Sequence, residues 1–253
     1  MERWPAGVGR EIADTLDSTN AEALRRAAAG EAGPLWILAR RQTAARGRRG
    51  RSWAQAEGNF GASFLLRPPG DLALRSFVAA LGLHDAMVAL TGRAELFALK
   101  WPNDVLLAGG KLAGILLESG AHGTLAIGIG VNLAEAPEPR ALEAGAVRPA
   151  SLRGATGLTV TPEEMLDALA PAVMRWEERL TDEGFAPLRA AWLARAARIG
   201  ETIVARLPGR EVAGRFETVD ERGAIVLATA EGRVALPAAD IHFAAEGRDA
   251  ARD

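Results

Sequence analysis

Arg46-Gly47-Arg48-Arg49-Gly50-Arg51 places four guanidinium groups in six residues of a chain whose formal net charge is only -2. A local concentration of cations in a near-neutral protein points to one highly charged anion rather than to a surface adapted to a polymer. Arginine supplies a planar fork of donors matched to phosphate, and Gly47 and Gly50 let main-chain N–H groups approach a ligand closely. Taken from Gln42 to Trp53, the segment follows an apolar run directly. It is therefore expected to be held against a sheet and to close over a ligand as a lid.

A second constellation is Lys100-Trp101-Pro102-Asn103-Asp104, followed by Lys111-Leu112-Ala113-Gly114-Ile115-Leu116-Leu117-Glu118. Lysines and carboxylates at the two ends of a hairpin could place cations on phosphate oxygens and an oxygen ligand on magnesium. Lys100 interrupts an apolar run, where an unpaired ammonium would be costly. Gly114 interrupts a strand where a side chain would have packed. A third element is Ile127-Gly128-Ile129-Gly130-Val131-Asn132, whose alternation puts both glycines on one face of a strand. A bare patch of sheet suits a flat apolar ring. No phosphate-binding helix follows it, so this is not read as a Rossmann site.

The elements that must carry these residues follow from periodicity and punctuation. A short helix is predicted over Ala21–Ala29, with Thr19 and Glu22 as its capping box and Gly30 as its stop. Strands are predicted at Leu35–Ala39, Gly61–Leu66, Leu96–Trp101, Val105–Leu107, Leu112–Glu118 and Leu125–Leu133. Ala108-Gly109-Gly110 is the turn of a hairpin. Helices are predicted at 72–91, from a capped start at Thr161 to about Gly184, and at about 185–198. Glu135–Ala150 reads as a surface connection. Beyond Gly200 come short runs at 202–207, 211–219, 224–228 and 233–236, the spacing of a small antiparallel barrel.

The balance of 49% hydrophobic and 25% charged residues describes an ordinary globular protein, without the basic character of a general nucleic-acid binder. With no cysteine there is no disulfide, no thiolate metal ligand and no thioester intermediate. His84, His122 and His242 lack metal-ligand spacing, so no zinc site is expected. The first residues do not form a secretory signal, and no apolar span of membrane-crossing length is read from the pattern, which predicts a cytoplasmic protein without membrane association. About 16 residues precede Asp17, too few for a folded amino-terminal module.

In order and spacing these motifs resemble those of the biotin protein ligases over nearly the whole chain. Asp17-Ser18-Thr19-Asn20 resembles the family's D-S-T-N, residues 46–51 its R-G-R-R-G-R, residues 100–104 its K-W-P-N-D, residues 111–116 its K-L-A-G-I-L, and residues 128–132 its G-x-G-x-N. The resemblance implies an α+β fold, with a mixed sheet flanked by helices as in class II synthetases (1–199), a small SH3-like C-terminal barrel (200–245) and a disordered tail (246–253). It implies activation of biotin with Mg-ATP to biotinyl-5′-AMP and transfer to a lysine of a biotin carboxyl carrier protein or domain. By position, Ser18, Thr19, Asn20, Gln42, Arg46, Gly47, Arg48, Lys111, Gly114, Gly128 and Gly130 would hold biotin. Arg48, Arg49, Arg51, Trp53, Asn103, Lys111 and Asn132 would hold ATP or the adenylate. Lys111, Arg48, Arg51 and Lys100 would be catalytic, and Asp104 would meet Mg2+.

The chain departs from the family pattern at Ala45, where the family has glycine, and at Phe60-Gly61, where an aromatic is often second; the loop and the pocket wall are expected to differ accordingly. The resemblance further implies a monofunctional ligase, monomeric or weakly dimeric, without a DNA-binding domain. Two other readings stand beside it: a lipoate or octanoate ligase of the same fold family, and an RNA-binding module using the Arg/Gly loop.

Overall fold

The structure is a computed structural model that describes residues 3–51, 53–138, 147–237 and 239–243. It is built on two sheets. The larger has seven strands: β1 (Gly9–Leu16), β2 (Leu35–Gln42), β3 (Phe60–Leu66), β4 (Phe97–Lys100), β5 (Asp104–Leu107), β6 (Gly110–Ser119) and β7 (Leu125–Val131). Their order is β1-β2-β3-β7-β6-β5-β4, parallel between β1 and β2 and antiparallel elsewhere. The helices are α1 (Thr19–Ala28), α2 (Arg75–Thr91), α3 (Leu152–Thr156), α4 (Pro162–Glu183) and α5 (Phe185–Leu193).

Alternation along the central strands sends side chains to two faces. Trp36, Leu38, Phe64 and Ile127 join the main core with α2 and α4, while Leu35, Ile37, Leu65 and Ala126 make a smaller cluster with Ala23 and Ala27 of α1. Burial on both sides explains why β2 and β3 read as continuous apolar runs. Between α2 and α4 lies a buried ion pair, Arg75 Nη2 to Glu177 Oε1 at 2.7 Å.

The second sheet comprises β8 (Thr202–Leu207), β9 (Arg210–Val219), β10 (Ile225–Thr229), β11 (Gly232–Leu236) and β12 (Asp240–Phe243), antiparallel in the order β11-β10-β9-β8-β12. It shares the main core. Trp101 Nε1 donates to the Gly223 carbonyl at 2.9 Å, and Phe77, Trp192 and Phe216 stack edge-on across the junction.

Several expectations need correction. β1 was not read from the sequence because Gly9–Leu16 is mostly polar and half-exposed; its parallel pairing with β2 also carries that strand on to Gln42. The cap of α1 is Ser18, whose hydroxyl accepts from Ala21 N–H, because the hydroxyl of Thr19 is turned toward Gln42 and Ser63 instead. The last helix stops at Leu193, and the following residues pair with β4 through Leu99 and Ala196. Residues 139–146 of the expected surface connection, and the expected tail at 246–253, lie outside the described residues. The carboxy-terminal end of that connection is bound to β6, with Lys111 N–H donating to Arg148 O and Ala150 N–H to Lys111 O. Leu72–Thr91 is, contrary to expectation, long and apolar enough to cross a membrane. Most of it is buried in the core, where a helix is apolar on all sides.

Candidate active site

A cavity of about 440 Å³ opens over the ends of β2, β3, β7 and β6, between the start of α1 and strand β12. Every residue nominated from the sequence borders it except Arg49, whose side chain lies outside the described parts.

One end is a chain of neutral polar groups. Ser18, Thr19 and Asn20 are all buried at the amino terminus of α1. Thr19 N–H donates to Gln42 Oε1 at 2.7 Å, and Gln42 Nε2 donates to Gln55 Oε1 at 2.7 Å. Ser63, inside β3, lies 2.8 Å from Thr19 Oγ1 and 2.5 Å from Asn20 Oδ1. Asn20 Nδ2 donates in turn to Glu118 Oε2 at 2.8 Å. Such a lining orients a compact polar ring by hydrogen bonds without imposing net charge on it.

The middle of the cavity rests on glycines in register, Gly61 beside Gly130 and Gly130 beside Gly114. Contrary to expectation the patch is not bare; it makes room for the protein's own side chains. An added Cβ at Gly130 would lie 2.6 Å from Trp53 Cε2 and Nε1, and one at Gly114 would lie 3.2 Å from Trp53 Cζ3. At Gly61 it would meet Gln42 Nε2 at 2.4 Å, and at Gly128 it would meet Asn20 Oδ1 at 2.4 Å. Gly128 therefore admits Asn20 and also borders the cavity. Gly61 admits the Gln42–Gln55 pair, so the departure at Phe60-Gly61 leaves the aromatic ring in the core and the amides in the wall.

The other end is cationic. A 3₁₀ turn over Arg48–Gly50 closes the loop, with Gly47 N–H donating to Arg51 O and Trp53 N–H to Ala45 O. Ala45 is buried and is not among the positive-φ residues, so alanine fits where glycine was expected. Arg46 Nη2 reaches Glu118 at 3.4 Å, and Arg51 Nη2 reaches Asp240 of β12 at 3.5 Å. Arg48 Nη1 donates to Asn103 Oδ1 at 3.0 Å, while Asn103 Nδ2 is tied to the Ile115 carbonyl at 2.7 Å. Asn132 is fixed through Nδ2 to the Ala150 carbonyl at 3.1 Å.

Lys111 Nζ lies 2.7 Å from Asp104 Oδ1 and Lys100 Nζ 3.7 Å from Oδ2. Burial holds the Lys100 ammonium below its ordinary pKa, and Asp104 opposes that effect. Two ammonium groups and the arginines thus converge where two anions could be brought together. The donor set does not suit a resident metal. Asp104 is a lone carboxylate engaged by two lysines, and no cluster of three His, Asp or Glu occurs among the described residues. Asp104 is the seat of Lys111.

Sequence reasoning missed Ser63, Gln55 and the β12 residues Asp240, Ile241 and His242, all of which except Ser63 and Gln55 border the cavity directly. Ser63 had a readable signal, a lone hydroxyl in an apolar strand opposite Gly128. Asp240 had none, since it reaches the loop only through the packing of the second sheet.

Residues 13–133 match the Biotin/lipoate A/B protein ligase family, and residues 199–243 match the Biotin protein ligase C terminal domain. A biotin--[acetyl-CoA-carboxylase] ligase of Paracoccus denitrificans is 54% identical over 234 residues, spanning 90% of this chain and 97% of the relative. A protein of the same name from Mycobacterium tuberculosis is 34% identical, over 91% of this chain and 87% of its own. The structure superposes on a biotin protein ligase from Aquifex aeolicus in complex with biotin and ATP, with a TM-score of 0.81 and 25% identity, covering 93% of this chain and 99% of the other.

Proposed function

The chain belongs to the biotin protein ligase family, and from that premise we propose that it activates biotin as biotinyl-5′-AMP and transfers it to a lysine of a biotin carboxyl carrier protein or domain. The observation that carries this reading is one cavity with a neutral hydrogen-bonding end and a cationic end, joined by the glycine floor beneath Trp53.

In the first step a carboxylate oxygen of biotin attacks the α-phosphorus of ATP, and pyrophosphate leaves. In the second the lysine amine attacks the acyl carbon, loses a proton and expels AMP. The first step brings two anions together, and the second needs the amine aimed at the acyl carbon, so positioning and fixed cations supply most of the acceleration. Lys111 is assigned to the reacting carboxylate and α-phosphate, Arg48 and Arg51 to phosphate oxygens, and Lys100 to the field from behind. Ser18, Thr19 and Gln42 are assigned to the ureido ring, Arg46 and Gly47 to the tail and carboxylate. Trp53 offers its free face to adenine beside Asn132. Magnesium enters as the counterion of ATP, the substrate being Mg-ATP.

The division into a catalytic unit (1–199) and a small barrel (200–245), a cytoplasmic setting, a monomeric or weakly dimeric state and no nucleic-acid partner belong to the same proposal. The lipoate reading is disfavoured by the second matched domain and by the polar ring end. Incubation with biotin, Mg-ATP and a purified carrier domain should add one biotin to one lysine by mass. An unmodified carrier, in the presence of active adenylation, would remove the acceptor from the proposal.

A further inference from the structure

Gln55 does not border the cavity, yet its amide sets the way a cavity residue faces. Its Nε2 donates to the carbonyls of Ala39 and Asn59, both at 3.2 Å, and these oxygens can only accept. Gln55 therefore turns Oε1, and not an N–H, toward Gln42, whose Nε2 donates to it at 2.7 Å. The opposite end of the Gln42 amide is set in the same way, with Oε1 accepting from Thr19 N–H at 2.7 Å. A flipped Gln42 would put oxygen against oxygen at Gln55 and N–H against N–H at Thr19. The terminal torsion of glutamine is broad, so one hydrogen bond leaves the amide free to turn and two at opposite ends fix its plane.

Gly61 is what admits the pair. A Cβ there would lie 2.4 Å from Gln42 Nε2 and 2.7 Å from Gln55 Oε1, the two atoms of the hydrogen bond itself, so any larger residue would part them. The contact also joins the start of the Arg/Gly loop to its end. That loop is closed independently by Gly47 N–H to Arg51 O and Trp53 N–H to Ala45 O, so its shape does not hang on Gln55. The distinct effect of Gln55 falls on Gln42, which borders the neutral end of the cavity.

We propose that Gln55 is a positioning residue for the acyl substrate: admitted by Gly61 and oriented by two backbone carbonyls, it holds the Gln42 amide in one plane with its oxygen toward Thr19. The inference rests on the assignment of this end to the ureido ring of biotin. Gln55 touches no substrate and acts only through Gln42. It therefore serves the binding of biotin and leaves the cationic end, where Lys111 and the arginines stand, unaltered.

The test is biotin-dependent ATP–pyrophosphate exchange by the full chain, with biotin and Mg-ATP varied separately. Gln55→Met keeps the length of the side chain and removes its hydrogen bonds. It should raise the KM for biotin by about fivefold, the scale of one hydrogen bond, with kcat and the KM for ATP within about twofold of wild type. Gln42→Ala should raise the same KM, and adding Gln55→Met to it should change that value by less than about twofold, because the residue through which Gln55 acts is gone. Gly61→Ala, which drives the same two amides apart, should repeat the effect of Gln55→Met. A KM for biotin unmoved in Gln55→Met or in Gly61→Ala, effects that multiply in the double variant, or an equal change in kcat and the KM for ATP, as expected if Gln55 served only the loop, would each overturn the proposal. If Gln55→Met does not fold, Gly61→Ala decides it by the same readouts, alone and combined with Gln42→Ala. Wild type without biotin-dependent exchange would sink the assignment of the ring end instead, and is read in its own arm.

Discussion

The indole of Trp53 occupies the space that a side chain at Gly130 would need, at 2.6 Å from the position of its Cβ. The ring therefore lies against β7 and β6 on one face and toward the cavity on the other. Gly130→Ala should lift it and misplace the adenine end. Adenylation is expected to fall by on the order of tenfold or more, through the KM for ATP, with little change in melting temperature. Unchanged kinetics would show that Trp53 does not depend on the glycine floor.

Lys111 is held to Asp104 at 2.7 Å, which limits where its ammonium can stand. Lys111→Ala should lower kcat/KM for biotin-dependent exchange by about a hundredfold or more, the usual cost of losing a preorganised charge. Asp104→Asn should cost less, about tenfold and mainly in kcat, because Lys111 remains but is no longer held. Exchange within a fewfold of wild type for Lys111→Ala would refute its assigned role.

Lys100 carries a pH signature. Burial keeps its ammonium below the ordinary lysine pKa in the folded chain, against the opposing pull of Asp104. Between that lowered value and the ordinary one of about 10.4, the unfolded chain holds more protons, so the stability from this group rises with pH. Lys100→Met should flatten that alkaline rise and stabilise the protein near neutral pH, while raising the KM for ATP. Urea unfolding at a series of pH values from neutral to alkaline reads both; a slope unchanged by the substitution would contradict it.

Glu177 and Arg75 form the buried pair between α2 and α4, with side-chain exposures of 10% and 2%. Glu177→Gln leaves the guanidinium without its counter-charge and should cost about 3 kcal/mol of unfolding free energy. Denaturant titration measures this; a loss below about 1 kcal/mol would place the pair among weakly coupled ones.

Much of this was legible in the sequence because glycine, proline and clustered charge mark places where a backbone or ligand must come close. Arg46–Arg51, Lys100–Asp104 and Gly128–Asn132 were readable for that reason, and all three border one cavity. What escaped was set by tertiary pairing. β1 is polar and owes its existence to β2, and Asp240 meets Arg51 only because the second sheet docks beside the loop. The glycine floor was readable as a gap, but not that Trp53, Gln42 and Asn20 would fill it, since those residues are distant in sequence.

Whether the neutral and cationic ends serve a single adenylation is decided by ATP–pyrophosphate exchange on the purified chain with Mg-ATP, in parallel with biotin, with lipoate and with no acid. Exchange should depend on biotin and be at least about a hundredfold weaker with lipoate, as expected when polar groups of a site are left unpaired. Exchange equal or greater with lipoate, or none with biotin, would contradict it.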